Sequence, residues 1–273
     1  EHIIFGEDMH PQDKFVYTDL STIFPGYVFK SGKSTYAGEV IGEGGYVYAE
    51  PGAYGKVICL DVSSMHPNSA KQLNIFGPYQ KKFNELIDAR IAVKHQDKVA
   101  AKKLLNGILV PYMSDEAACK KLAYALKIVI NSVYDLTCAS FENRFRDPRN
   151  IDNIVAKRGA LFMCTLKAKV QEMGYKVVHI KTDSIKIAEP DETIIKFVTE
   201  FGKSYGYSFE VEHEFERILL VNDAVYVGKT TEPDDDGLYW TATGAEFKRP
   251  YIFKMLFTKQ PIIFSDLCET KQV

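Results

Sequence analysis

The sequence predicts an α+β fold in which helices cover an antiparallel sheet, and three observations carry that expectation. Ile58–Val62 and Val177–Ile187 are short apolar, β-branched runs with the length and pattern of strands buried on at least one face. Between them, apolar residues recur at helical spacing over two longer segments. A further stretch of alternation, from Ser208 to Thr243, adds strands joined by short connections. Antiparallel strands covered by helices make an α+β architecture.

Taken in order, the elements are these. From Tyr17 to Pro51, glycines interrupt short aromatic and β-branched pieces, which read as hairpins and loops leading into the Asp61 strand. Gly32-Lys33-Ser34 is not a phosphate-binding loop, because position 27 is Tyr27 and the upstream glycine that motif needs is missing. Phe83, Leu86, Ile87, Ile91, Val93, Val99 and Leu104 among charges predict one amphipathic helix over about 79–103. Asn106-Gly107 and Pro111 break it, Ser114-Asp115 reads as a new helix start, and a second helix runs to about Val133. Its spacing puts Lys127, Asn131 and Tyr134 on one face. After the polar connection Phe141–Asn150, a helix over about 151–173 ends at Gly174, suited to a position just past a helix end. The strand to Ile180 then turns at Lys181-Thr182-Asp183-Ser184 into Ile185-Lys186-Ile187, a hairpin with Asp183 at its tip. A helix over 192–205 and strands over 208–218, 224–227 and 238–243 complete the chain.

With 273 residues and 46% hydrophobic composition, the chain can bury a large core and is not a disordered tail. Its five cysteines are an odd number without paired CxxC spacing, which excludes a disulfide framework and a cysteine zinc site and suits a reducing, intracellular compartment. No apolar run has the length of a membrane span, and the first eight residues lack the basic start of a signal peptide, so a soluble protein is expected. The net charge of −2 is not that of a basic nucleic-acid-binding domain. Its distribution is uneven: Lys71, Lys81, Lys82, Arg90, Lys94, Lys98, Lys102 and Lys103 form one basic stretch, and Arg144, Arg146, Arg149, Lys157 and Arg158 a second. Acid gathers at Glu210, Glu212, Glu214, Glu216 and Asp234–Asp236.

Asp61 and Asp183 each stand in or at the end of an apolar strand, where a lone carboxylate is costly unless it is paired or holds a cation. Two of them, far apart in sequence, suggest a shared cation. Asp61-Val62-Ser63-Ser64-Met65-His66-Pro67-Asn68-Ser69, Lys127-Ile128-Val129-Ile130-Asn131-Ser132-Val133-Tyr134-Asp135 and Lys181-Thr182-Asp183-Ser184 resemble, in order and spacing, the three conserved motifs of the family B DNA polymerases, most closely the phage-type members. The resemblance covers about residues 35 to 255. It implies a polymerase palm: residues 1–76 with the first motif, a two-helix fingers insertion over 77–140, and a second palm part over 141–273. The first residue is glutamate and neither an exonuclease nor a thumb region has room, so the resemblance implies a piece whose missing parts are in the same or another chain.

The resemblance further implies a template-directed DNA polymerase, viral in type and acting in the cytoplasm of a host cell, with primer-template DNA and deoxynucleoside triphosphates as partners and no membrane. Asp61 and Asp183 would hold two Mg²⁺ ions, or Mn²⁺ in their place, with the backbone carbonyl of Val62. Ser63, Ser64, Met65, His66, Arg90, Lys94, Lys127, Asn131 and Tyr134 would contact the nucleotide, and Lys181, Thr182, Tyr226, Lys248 and Arg249 the DNA. His66 stands where the family has the tyrosine that excludes a 2′-hydroxyl. Lys181 replaces the first aspartate of the third motif, Asp135 the glycine after Tyr134, and Ala224 the lysine preceding the Tyr226 element. A non-catalytic nucleic-acid-binding palm, and a primer-independent or RNA-copying polymerase, remain as alternatives.

Overall fold

The computed structural model describes residues 19–42, 44–143, 153–234, 237–244, 254–255 and 260–268. Its elements in chain order are strands β1 (Val28–Lys30), β2 (Lys33–Tyr36), β3 (Glu39–Ile41), β4 (Val47–Ala49), β5 (Gly52–Tyr54) and β6 (Val57–Val62), then helices α1 (Met65–Gln72), α2 (Gln80–Lys94), α3 (Lys98–Lys103), α4 (Glu116–Thr137) and α5 (Ile154–Glu172). There follow β7 (Lys176–Lys181), β8 (Ser184–Ala188), α6 (Glu192–Ser204), β9 (Phe209–Leu220), β10 (Tyr226–Thr230) and β11 (Trp240–Thr243). The chain forms two compact units: one of Glu1–Gly45, Ser64–Leu161 and Tyr205–Tyr207, the other of Tyr46–Ser63, Phe162–Ser204 and Ser208–Val273.

The second unit is built on an antiparallel sheet of order β11-β10-β9-β6-β8-β7-β4, with β5 also paired to β9. Its centre is dry because its strands were written that way. β8 is buried at all five positions, β7 at its four inner ones, and β6 at every position but Asp61. Continuous burial of this kind marks strands covered on both faces. One face carries Val57, Cys59, Val178, Ala188, Phe215 and Ile218 with Tyr54 and Tyr226 packed against them. Elsewhere Phe162 of α5 stacks on Phe201 of α6 and lies against Phe209 of β9, at centroid distances of 5.9 and 6.1 Å. α5 is buried at nearly every position from Ile154 to Leu166, so it packs as a helix enclosed on all sides and not along one apolar stripe.

In the first unit, β1, β2 and β3 make a small antiparallel sheet. Gly32-Lys33-Ser34 belongs to its first hairpin: Ser31 and Gly32 both have positive φ, 52° and 73°, the twist that suits a two-residue hairpin loop. Ser34 is buried and its hydroxyl meets that of Tyr27 at 3.1 Å. The helices α1, α2 and α4 pack on one another.

The single helix expected over 79–103 is two. Gln96 takes a left-handed φ of 58°, and the Asp97 carboxylate accepts from the Ala100 N–H at 2.9 Å, starting α3 afresh. A side chain that caps a new helix competes with continuation of the old one. Asp115, rather than Ser114, caps α4, accepting from the Ala118 N–H at 2.8 Å. α4 runs four residues past Val133, with Cys119, Ala123, Leu126, Ile130, Val133, Tyr134 and Thr137 as its buried stripe. Strand β9 likewise extends to Leu220, where its end pairs with β5 and β10 at once. Among the described residues no helix is long and apolar enough to cross a membrane, and no two cysteines are joined by a disulfide.

Candidate active site

In the second unit, β6 lies between β8 and β9, so half-buried Asp61 faces Ser184 across one ladder and Glu210 across the other. Thr182 and Asp183 form the turn of the β7–β8 hairpin, with Thr182 at a φ of 57° and its N–H donating to the Tyr46 carbonyl at 2.9 Å. The Asp183 carbonyl accepts from the Val62 N–H at 2.9 Å. That bond ties the hairpin turn to the residue after Asp61. Two aspartates more than a hundred residues apart in sequence are thereby held at one end of the sheet.

Negative charge collects there. The Asp61 carboxyl is pushed up to about 7, first by burial and then by the charges of Asp183, Glu212 and Glu210, against the opposing pull of Lys186. Carboxylates that repel one another in this way are relieved by a bound cation. The donor set suits a hard divalent ion, which takes one or two carboxylates and fills its shell with carbonyl, phosphate and water oxygens. Among the described residues no group of three or more His, Cys, Asp or Glu side chains is arranged to enclose a metal, so any ion would rest on few protein ligands.

Other site candidates of this unit are spread over its surface and core. The Ser63 N–H donates to the Ser208 carbonyl at 2.9 Å, which fixes the chain where β6 ends. Lys181 is exposed beside the hairpin turn. Tyr226 lies on β10 edge-on to Phe215, at 6.3 Å and 85°. Lys248 and Arg249 lie outside the described residues.

The first unit gathers the polar candidates on helices. Ser64, the residue before α1, sits in left-handed backbone (φ 57°, ψ 54°), a conformation costly for a residue with a Cβ. Its hydroxyl accepts from an Arg90 Nη1 donor at 2.6 Å instead of capping α1. Arg90 of α2 is thus anchored at the start of α1, with Lys94 exposed one turn further along. Met65 is buried against Gly159, where an added Cβ would come within 2.6 Å of the Met65 sulfur. What Met65 can offer a ligand is its backbone. The His66 ring lies 5.0 Å from that of Tyr134, tilted by 34°. Tyr134 is buried, donates its hydroxyl to Asn153 Oδ1 at 2.8 Å, and has its phenol held above the usual range by that burial. Lys127 and Asn131 are exposed on α4, along the edge of the buried stripe to which Tyr134 belongs.

Glu210, Glu212 and Lys186 were not singled out from the sequence as parts of the site. A signal existed for the glutamates: Phe209-Glu210-Val211-Glu212-His213-Glu214-Phe215-Glu216 repeats acid at every second residue, the period of one strand face. What the pattern lacks is the register. Only the β6–β9 pairing, with its shift between Cys59 and Leu60, places Glu210 opposite Asp61 and brings Glu212 to Cys59, whose thiol donates to it at 3.2 Å.

No family model matches the chain. A stretch of 125 residues is 30% identical to the DNA polymerase alpha catalytic subunit of Xenopus laevis, covering 43% of this chain and 8% of that protein. A stretch of 162 residues is 28% identical to DNA polymerase II of Escherichia coli strain K12, covering 52% of this chain and 19% of that protein. The fold is similar to that of the family B DNA polymerase from the hyperthermophilic archaeon Pyrobaculum calidifontis, with a TM-score of 0.54 at 18% identity over 84% of this chain and 34% of that one. The chain is homologous to DNA polymerases, and its mixed α/β fold with an antiparallel sheet is similar to that of a family B member. It spans less than a fifth of the length of either curated relative.

Proposed function

We propose that this chain is the palm and fingers of a phage-type family B DNA polymerase, adding deoxynucleotides to a primer 3′-hydroxyl on a DNA template in a viral setting inside a host cell. The observation that carries the reading is the union of Asp61 and Asp183 at one end of the sheet through the Val62–Asp183 hydrogen bond, beside two further carboxylates. Residues 1–76 and 141–273 would be palm and 77–140 fingers.

Mg²⁺ bound there would supply activation of the primer hydroxyl and neutralisation of charge on the leaving pyrophosphate. Asp61, Asp183 and the Val62 carbonyl are its ligands in this reading. Lys127 and Asn131 on α4 and Arg90 and Lys94 on α2 bind the triphosphate oxygens, where charge-assisted hydrogen bonds from fixed donors are strong. Ser63, Ser64 and Met65 present backbone to the nucleotide. His66 packs against the sugar and Tyr134 supports it from below. Lys181, Thr182, Tyr226, Lys248 and Arg249 contact the DNA, mostly its phosphates.

Primer extension with Mg²⁺ and the four deoxynucleotides tests the reading, on this chain and on the longer protein containing it. Asp61→Asn and Asp183→Asn should each lower incorporation by at least ~10³-fold, the loss of several kcal/mol of charge stabilisation, with unchanged circular dichroism. Near wild-type extension by either variant overturns the assignment. Tight primer-template binding without extension by the unmutated protein would favour a non-catalytic palm.

A further inference from the structure

We propose that Lys186 is a built-in counter-cation of the carboxylate cluster, a positioning residue that holds the cluster together at rest and sets how tightly it takes a divalent ion. The proposal rests on the reading of Asp61 and Asp183 as ligands.

Lys186 is 3% exposed, in the middle of a strand buried throughout. Ammonium groups are seldom placed in such surroundings unless a negative charge compensates them. Its immediate neighbours do not supply one. Across β6 it faces Cys59, across β7 it faces His179, and its Nζ stands 5.0 Å from the centre of the Tyr226 ring. The Cys59 thiol keeps its proton toward Glu212, to which it donates at 3.2 Å, and His179 is lowered to about 4, chiefly by burial. Neither offers Lys186 a negative charge.

The negative charges lie along the same strands. Cys59 and Asp61 are two apart on β6 and share a face, as their partners Lys186 and Ser184 do on β8. Glu212 accepts from the Cys59 thiol, and Glu210 stands opposite Asp61. Asp61 feels the negative charges of Asp183, Glu212 and Glu210, and Lys186 opposes them. A fixed positive charge in that position binds the carboxylates together without metal, and it also repels an arriving metal ion. Its removal favours a divalent ion more than a competing proton, because the ion carries twice the charge and gains twice the electrostatic energy.

The test is Mn²⁺ binding to this chain, without DNA or nucleotide, followed by the electron paramagnetic resonance of free Mn²⁺ at pH 8. Lys186→Met should tighten binding roughly tenfold, and Lys186→Arg should keep the wild-type affinity. Lys186→Gln, neutral and still able to hydrogen-bond the thiol, should tighten binding as Met does, which covers the case in which the Met variant fails to fold. On an Asp61→Asn background the tight site should be lost and the Lys186 substitution should have no effect. Equal Mn²⁺ affinity in wild type and a folded neutral variant overturns the role of Lys186 while leaving the ligand assignment intact. Mn²⁺ binding unaltered by Asp61→Asn alone overturns both.

Discussion

The sheet of the second unit and the helices of the first carry opposite charges in opposite ways. Asp61 and Asp183 are held by backbone: a strand buried at every other position, and a hairpin turn bonded to it by Val62. Lys94, Lys127 and Asn131 are exposed side chains on helices. Burying Asp61 beside like charges on a rigid sheet is costly at rest, and its carboxyl is pushed up to about 7, first by that burial and then by Asp183, Glu212 and Glu210. Solvated lysines cost the folded state almost nothing. The carboxylates are pre-organised and strained, whereas the exposed lysines are relaxed.

This contrast predicts opposite couplings of stability and activity, and the largest effect lies on the sheet. Asp61→Asn, which should abolish incorporation, should raise the metal-free melting temperature at pH 8. A carboxyl whose folded pKa is raised binds more protons folded than unfolded between pH ~4 and ~7, so stability falls as pH rises through that window. The amide escapes this loss. A lower melting temperature for Asp61→Asn at pH 8 would mean that the carboxylate is held by favourable partners and the contrast is wrong.

On the helices the expectation reverses. Lys127→Ala should leave the melting temperature within a degree or so of wild type, since exposed substitutions usually change stability by less than about 0.5 kcal/mol. It should lower kcat/KM for the incoming nucleotide by roughly 10- to 150-fold, the loss of a charged hydrogen bond of ~1.5–3 kcal/mol. Steady-state kinetics at fixed primer-template separates this from weaker DNA binding. An unchanged nucleotide KM and kcat would remove Lys127 from the site.

A smaller effect concerns the neutral layer under the carboxylates. His179 is 1% exposed, its Nε2 meets the Asp223 carbonyl at 3.0 Å, and burial lowers it to about 4. Lys186 and Lys181 oppose its protonation and Asp223 favours it. Because the unfolded imidazole binds protons first, His179 contributes stability that is complete above pH ~6.5 and is lost as pH falls toward 4. His179→Asn should flatten that limb of a denaturation series across pH 4–7. An equally steep limb would assign the acid sensitivity to other groups.

The fold was legible where one segment decides its own structure. The turn at Thr182-Asp183, the helix carrying Lys127 and the glycine at the end of α5 all follow from local pattern. So does the pairing of β10 with β11, whose alternations face each other across Gly237. Legibility failed where two energies of similar size compete, as at Gln96–Asp97, where a cap overrides an amphipathic pattern that continues through it. It failed again where the answer is a register. Nothing local in Glu210 or Lys186 says which residue of β6 lies opposite. The motif residues could be named because their order and spacing resemble a family, whereas the carboxylates and the lysine around them follow from pairing alone.

His66 offers the finest test of the contrast, because it belongs to the relaxed, helical side yet is packed. It lies in the first turn of α1, one residue from buried Met65, with its ring 5.0 Å from the ring of buried Tyr134. An aromatic pair of this kind contributes about 0.5–1.5 kcal/mol, so His66→Ala should lower the melting temperature slightly whatever else His66 does. If the ring also bounds the sugar, its removal opens space for a 2′-hydroxyl, and the ratio of kcat/KM for ribonucleotide over deoxyribonucleotide should rise by roughly tenfold on one template. A residue that only supports Tyr134 would lower both efficiencies together and leave the ratio unchanged. His66→Tyr sharpens the comparison: a larger ring on the same helix turn should lower the ratio below that of the wild type. If the ratio is indifferent to Ala and Tyr alike, the sugar is bounded by another residue, and His66 is no more than the packing partner of Tyr134.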